Sequence, residues 1–493
     1  MQINSAEGEQ MRKRKYWLYV LLAFAAAGTL MELLIAYGLS PLYHGVFDFD
    51  QPIFWEIGNG WAQGRLPYRD LTDLKGPYIF LVNAVGYLVF RNFHGMMVMD
   101  VISFTVAGFF VTKMMNLFMP EKKALISAAA LQTFFAVPFW ASGDTVSGYL
   151  LPFMSCSWWL IAKWIRSDTA DCPPKWAFVF GITFGLCAMS RMLDGIAVAV
   201  PCLYISVMLA VQKRWKNLAE CAVSCAAGAA VICVPFIAYF ALHGALSEMM
   251  YGTFGMGASY FAGTFRTDML TNIMTGAILI VPVLGLLTAA AEEEWSQPKS
   301  YIVLLTCAIC EAVLFCRLPI SRYYISYVPT ACLASVMAFQ SIRKANGMKT
   351  AACMSIVFAV MFAVPAGKIS YRTYASKRRD SAHDDAYVAK AMSMIPAAEK
   401  SDIAFWGTYP KYYITYNVQP KMRYFAGQPW NIVSISGIEK EFRKDFEKNA
   451  TKWLVVNASG TKFEEKYIRE RYKEVWKKKN ISLLKLKAET QKK

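Results

Sequence analysis

The segment from His44 to Pro77 carries Asp48, Asp50, Glu56, Arg65, Arg69, Asp70, Asp73 and Lys75, interleaved with Phe47, Phe49, Phe54, Trp55, Trp61 and Tyr68. It is the densest gathering of acids, cations and rings in the first 367 residues. Carboxylates beside aromatic rings suit two kinds of chemistry. One is a general base that takes a proton from a hydroxyl or amine; the other is a set of carboxylates that holds sugar hydroxyls while rings stack on the sugar. Taken alone, the rings fit an interfacial amphipathic helix at headgroup depth better than a sugar site.

Composition says what must position this segment. The chain has 493 residues, 56% of them hydrophobic and only 18% charged, with a formal charge of +17 and a mean hydropathy of +0.30. An ordinary soluble enzyme of this length would be about a quarter charged, so these values exclude one, and they exclude intrinsic disorder. A basic chain this apolar does not read as a nucleic-acid binder either. Most of the twelve cysteines lie in apolar runs, none follows residue 353, and the histidines His44, His94, His243 and His383 form no zinc-site spacing with them.

The remaining class is a polytopic α-helical membrane protein. Met11-Arg12-Lys13-Arg14-Lys15 precedes an apolar run from Tyr16 to about Leu39, too long for a signal-peptide core, which predicts an uncleaved first span with a cytoplasmic N-terminus. Further spans are predicted near 96–118, 124–141, 147–165, 175–190, 195–212, 218–242, 270–291, 300–316, 323–341 and 350–367, giving about 11. The short loops holding Lys122 and Lys123, Lys163 with Arg166 and Lys175, Lys213 with Arg214 and Lys216, Lys299, and Arg343 with Lys344 and Lys349 then fall inside, as the positive-inside rule requires. This count leaves out Pro77–Phe90, whose 14 residues are short of the roughly 20 needed to cross. That segment is predicted to be re-entrant or interfacial, and counting it as a span would reverse every later loop.

The predicted domains are therefore a multi-span part at 1–367, with its first external loop at 40–77, and a small extracytoplasmic α/β domain at 368–493. In the latter, short strands are expected at 403–406, 453–456 and 481–484, and amphipathic helices at 385–394, 438–449 and 464–473. The tail holds 27 Lys and Arg against 14 Asp and Glu, so most of the excess charge is there.

The first loop also carries a family resemblance. Asp50-Gln51-Pro52-Ile53-Phe54, then Gly58, Gly64-Arg65-Leu66-Pro67-Tyr68-Arg69-Asp70 and Asp73-Leu74-Lys75-Gly76-Pro77 resemble the first-loop pattern of GT-C membrane glycosyltransferases. The likeness is to the polyprenyl-phosphate-sugar enzymes of the protein O-mannosyltransferase and aminoarabinose transferase group, bacterial branch. It is specific over about 30 residues, with looser anchors at Arg322-Tyr323-Tyr324, Pro329, Ile395-Pro396, Phe405-Trp406-Gly407 and Arg423-Tyr424-Phe425. The resemblance implies that Asp50 is the catalytic base or acceptor-orienting acid, with Asp48 as its near competitor. It implies that Lys75 contacts the lipid-linked phosphate and that Asp144 matches a second external acid. Asp70, Asp73, Arg191, Arg322 and Tyr323 complete the expected substrate-binding set. Expelling a phosphate requires cations where its charge develops, and Lys75, Arg191, Arg317 and Arg322 all fall at predicted outer span ends. Relatives differ in using a divalent metal, so a metal stays open and no other cofactor is implied.

The expected activity is hexosyl or pentosyl transfer from a polyprenyl-phosphate sugar to a glycan, lipid or protein acceptor, outside a bacterial plasma membrane. Membrane lipids are the other expected partners, and nucleic acid is not one. Two rivals remain: a lipid or glycan transporter or flippase, and a non-catalytic envelope assembly protein. Hydropathy shows no inverted repeat and no matched pair of broken helices for a transporter, which would also have little use for a tightly spaced outer acid loop and an external domain. An assembly protein would not need Asp50 and Lys75 together.

Overall fold

Apolar runs in a bilayer must satisfy their own backbone groups, and helices do so within one segment. The computed structural model describes residues 2–43, 49–140, 143–262, 302–303, 305–310, 321–426, 438–457 and 468–487, and most of them are helical. The helices are α1 (Gln2–Leu34), α2 (Asp50–Ala62), α3 (Pro77–Phe90), α4 (Met96–Met115), α5 (Glu121–Ala136), α6 (Val146–Ile165), α7 (Pro174–Ala188), α8 (Ile196–Val211) and α9 (Trp215–Leu242). After them come α10 (Leu246–Met250), α11 (Met256–Ala262), α12 (Val328–Ser393), α13 (Lys411–Thr415) and α14 (Ile438–Lys448). Among the described residues, five helical stretches are long and apolar enough to cross a membrane: Gly8–Leu34, Phe93–Met115, Met192–Val211, Trp215–Leu242 and Tyr323–Lys344. Pro77–Phe90 is a shorter apolar helix. The spans expected at 270–291 and 300–316 fall wholly or largely outside the described residues.

The chain divides into two compact units. One comprises Met1–Leu42, Met97–Phe236 and Phe265–Thr373; the other comprises Tyr43–Met96, Ile237–Thr264 and Tyr374–Lys493. The second unit thus joins the first loop to the C-terminal segment, although the two lie far apart in sequence.

That unit contains a four-stranded sheet of β1 (Ile403–Trp406), β2 (Trp453–Asn457), β3 (Tyr472–Lys478) and β4 (Ile481–Leu486), in the order β1-β2-β4-β3. β1 and β2 are parallel, with Phe405 opposite Val455, and the other pairs are antiparallel. Trp406, Leu454, Tyr472 and Leu484 bury one face with Phe442 and Phe446 of α14. The Trp406 ring meets those of Phe442 and Phe446 at 5.4 and 4.7 Å, edge pairings that add about 0.5–1.5 kcal/mol each beyond their burial.

Two differences from the sequence reading are physical. The helix expected at 385–394 is the end of α12, whose break lies earlier, at Gly347 with φ 80°. Residues 472–478, read as helix end and charged tail, form β3, and Lys479 (φ 51°) turns the chain into β4.

Candidate active site

α2 starts at Asp50, so this carboxylate stands in the first turn, where the unpaired N–H groups favour negative charge. The ten residues from Gln51 to Gly60 are all buried. α2 lies against α3 so closely that a Cβ on Gly58 would come within 2.5 Å of Asn83 Cβ and 2.7 Å of Ala84 N. Pro77 opens α3 at its first turn, where no N–H is missed.

The loop between these helices is a folded strap. Tyr68, fully buried with φ 70°, donates from its hydroxyl to the Lys75 carbonyl at 2.7 Å, and its N–H reaches Leu71 O at 2.7 Å. Asp70 Oδ2 accepts from Leu66 N at 2.7 Å, which closes the 66–70 turn. The C-terminal segment holds the strap: Thr72 N donates to Arg423 O at 2.9 Å and Arg65 to the Pro420 carbonyl. On another side, Trp61 Nε1 donates to the Tyr239 hydroxyl at 2.8 Å.

This strap buries Asp73 and Lys75, with Lys75 Nζ 3.8 Å from Asp73 Oδ2 and 5.9 Å from the centre of the Phe54 ring. Burial pushes the Asp73 carboxyl above the usual carboxylate range; the Lys75 ammonium pulls it back, Asp50 pushes it up, and the N–H groups of Leu74 and Lys75 stabilise its charge. Asp50, Asp73 and Lys75 therefore form one electrostatic cluster, whereas Asp70 is engaged in the turn. Asp48 lies outside the described residues.

Glu56, six residues into α2, is a further buried acid of this segment, and periodicity does not reveal its burial. It is 2% exposed, Oε2 has no hydrogen-bond partner among the described residues, and burial raises its carboxyl to about 8 against the pull of Arg65. Its spacing from Asp50 in a loop rich in acids is the only sequence signal.

The other expected site residues belong to the first unit. Asp144 (φ 42°) follows Gly143 (φ 67°) in a left-handed turn just before α6, and Thr145 caps that helix by accepting from Gly148 N at 3.1 Å. Aspartate tolerates this backbone region better than most residues. Asp144 N donates to Asp100 Oδ2 at 2.6 Å, and Glu32 accepts from Trp140 Nε1. Arg191 pairs with Asp194, donates to Ser147 of the first turn of α6, and lies 3.5 Å from the centre of the Tyr323 ring. The structure thus brings Arg191 and Tyr323 together, and α6 joins them to Asp144 through its first turn. Arg322 is in the 3₁₀ turn Ser321–Tyr327, with its side chain outside the described set; Arg317 is outside it altogether. Among the described residues, no three His, Cys, Asp or Glu side chains are arranged to hold a metal ion.

Residues 34–336 match the family model of the putative competence-induced protein Ccs4 N-terminal domain. The chain belongs to the Ccs4 N-terminal domain family. Comparison of this family member with curated proteins finds no match. Among solved structures it is similar to ArnT from Cupriavidus metallidurans bound to undecaprenyl phosphate, with a TM-score of 0.58 at 14% identity, covering 96% of this chain and 98% of that one. Apo ArnT from the same organism gives 0.57 at 12% identity, with 97% and 99% covered. This Ccs4-family chain therefore has the GT-C membrane fold that its first loop resembles, with a small sheet near the C-terminus.

Proposed function

We propose that the protein is a membrane glycosyltransferase that moves a sugar from a polyprenyl-phosphate donor to an envelope acceptor on the outer face of a bacterial plasma membrane. The observation that carries this reading is the cluster of Asp50, Asp73 and Lys75 at the start of α2 and the end of the strap. It sits in a chain whose fold matches a protein solved with undecaprenyl phosphate.

The step balances as a displacement. The acceptor oxygen attacks the anomeric carbon while the bond from that carbon to the phosphate oxygen breaks. Asp50 takes the acceptor proton, and polyprenyl phosphate leaves with the bonding electrons, its charge met by the Lys75 ammonium. Asp73 keeps that ammonium in place. On their own unit, Asp144, Arg191, Arg322 and Tyr323 are assigned to substrate binding, Arg191 held against the Tyr323 ring as a preset cation. No step runs through a metal. The proposed topology keeps 11 spans over 1–367, a re-entrant Pro77–Phe90, a cytoplasmic N-terminus and an external domain at 368–493.

Incubating the purified full chain with a radiolabelled polyprenyl-phosphate sugar and envelope acceptors tests this. Transfer that is lost in Asp50→Asn supports the assignment. Donor binding without turnover would sink the enzyme reading, and full transfer by Asp50→Asn would sink the role of Asp50.

A further inference from the structure

The unit that holds the first loop also contains an open cleft of about 630 Å³, lined by Arg65 and by residues of the C-terminal segment and reaching neither Asp73 nor Lys75. This volume lies within the roughly 300–1,000 Å³ of small-molecule sites. Three lining residues are cations, Arg65, Lys421 and Lys448, and no described lining residue is an acid. Asn417, Gln419 and Asn449 add amides and Ser401 a hydroxyl.

The three cations differ in how far they are committed. Lys421 pairs with Asp402 at 2.8 Å. Arg65 donates to the carbonyls of Pro420 and of Asp70, the latter at 3.3 Å, which position the guanidinium; the carboxyls of Asp70, Glu56 and Asp445 also act on its charge, so it is partly committed. Lys448, exposed in the last turn of α14, makes no ion pair among the described residues. Asn417, in a left-handed conformation with φ 50°, turns the segment that brings Gln419 and Lys421 to the wall.

We propose that this cleft binds an anionic carbohydrate, a glycan bearing carboxylate or phosphate groups. Amides and a hydroxyl are the partners that sugar hydroxyls need, and Lys448, with Lys421 and Arg65 on the same wall, meets the negative substituents through charge-assisted hydrogen bonds. No described lining residue is aromatic, so a nucleic-acid base has no stacking surface here. The cleft's role as an acceptor subsite rests on the transferase reading above, whereas the binding itself does not.

The test measures binding of a short oligogalacturonate and of a glycerol-phosphate oligomer to the purified full chain, with a maltooligosaccharide of equal length as the neutral control. Binding of either anionic probe, weakened by added salt and by about tenfold or more in a Lys421→Ala/Lys448→Ala double variant, is expected. The probe that binds more tightly tells carboxylate from phosphate. Equal binding of the neutral sugar, unchanged binding by the double variant, or no binding of either anion would overturn the proposal. Donor turnover by the wild type is read in parallel. If the wild type lacks turnover yet binds the anionic probe, the transferase reading fails and the cleft assignment stands.

Discussion

Lys75 and Asp73 are almost fully buried, and a buried charge that loses its partner is costly, so the pair constrains the first loop as much as it serves chemistry. Lys75→Met should destabilise the chain by about 3–5 kcal/mol and abolish transfer, and adding Asp73→Asn should recover much of the stability but none of the activity. Thermal unfolding and transfer assays on the two variants separate these effects. Asp50→Asn should lower transfer by about 10²–10⁴-fold with donor affinity retained, the range for a positioned general base. Glu56 gives a pH signature. Its carboxyl moves from an ordinary 4.5 to about 8 on folding, so the folded state holds a proton that the unfolded state has released. The stability from this group is fully present below about pH 4.5 and is lost as pH rises towards 8. Glu56→Gln should flatten the fall in melting temperature across that window; an unchanged slope would contradict the assignment.

At the level of elements, two glycines of the first-loop motif do different jobs. Gly58 lets α2 and α3 touch, whereas Gly64 (φ 88°) turns the chain after α2 in open space, with no atom within 4 Å of where a Cβ would stand. Gly58→Ala should cost about 1–3 kcal/mol by forcing the helices apart and should impair transfer. Gly64→Ala should cost only about 1–2 kcal/mol of backbone strain and leave transfer largely intact. Comparing melting temperature with activity for both distinguishes packing from strain. Periodicity marked β1, β2 and β4 because their residues are apolar, but β3 is an edge strand whose Lys473, Lys477 and Lys478 are exposed. Such charges keep an edge from pairing with other chains, and they also hide the strand from a pattern search.

For the whole molecule, the second unit gathers Tyr43–Met96, Ile237–Thr264 and Tyr374–Lys493. Because the strap's Thr72 and Arg65 bond to backbone at Arg423 and Pro420, the C-terminal segment supports the first loop directly. The proposed topology puts that unit's C-terminal part outside. In intact cells, a cysteine introduced as Lys477→Cys should therefore react with a membrane-impermeant maleimide. Labelling only after permeabilisation would reverse the sidedness and remove the outward-facing site. The wild-type tail has no cysteine after residue 353 and is the blank.

Sequence by itself determined the features that local composition dictates: the apolar helices, the basic tail, three of the four strands, and a first loop whose acids and cations resemble the GT-C pattern. The pairing of Arg191 with Asp194, three residues apart, was also within reach of a local reading. Tertiary structure alone decided which distant segments meet. Nothing in the spacing of Arg65, Pro420, Thr72 and Arg423 announces their contact, because such bonds use backbone groups that every residue carries. The same holds for the burial of Glu56 and for Tyr323 beneath Arg191: the environment that gives these side chains their properties is supplied by elements far away in the chain.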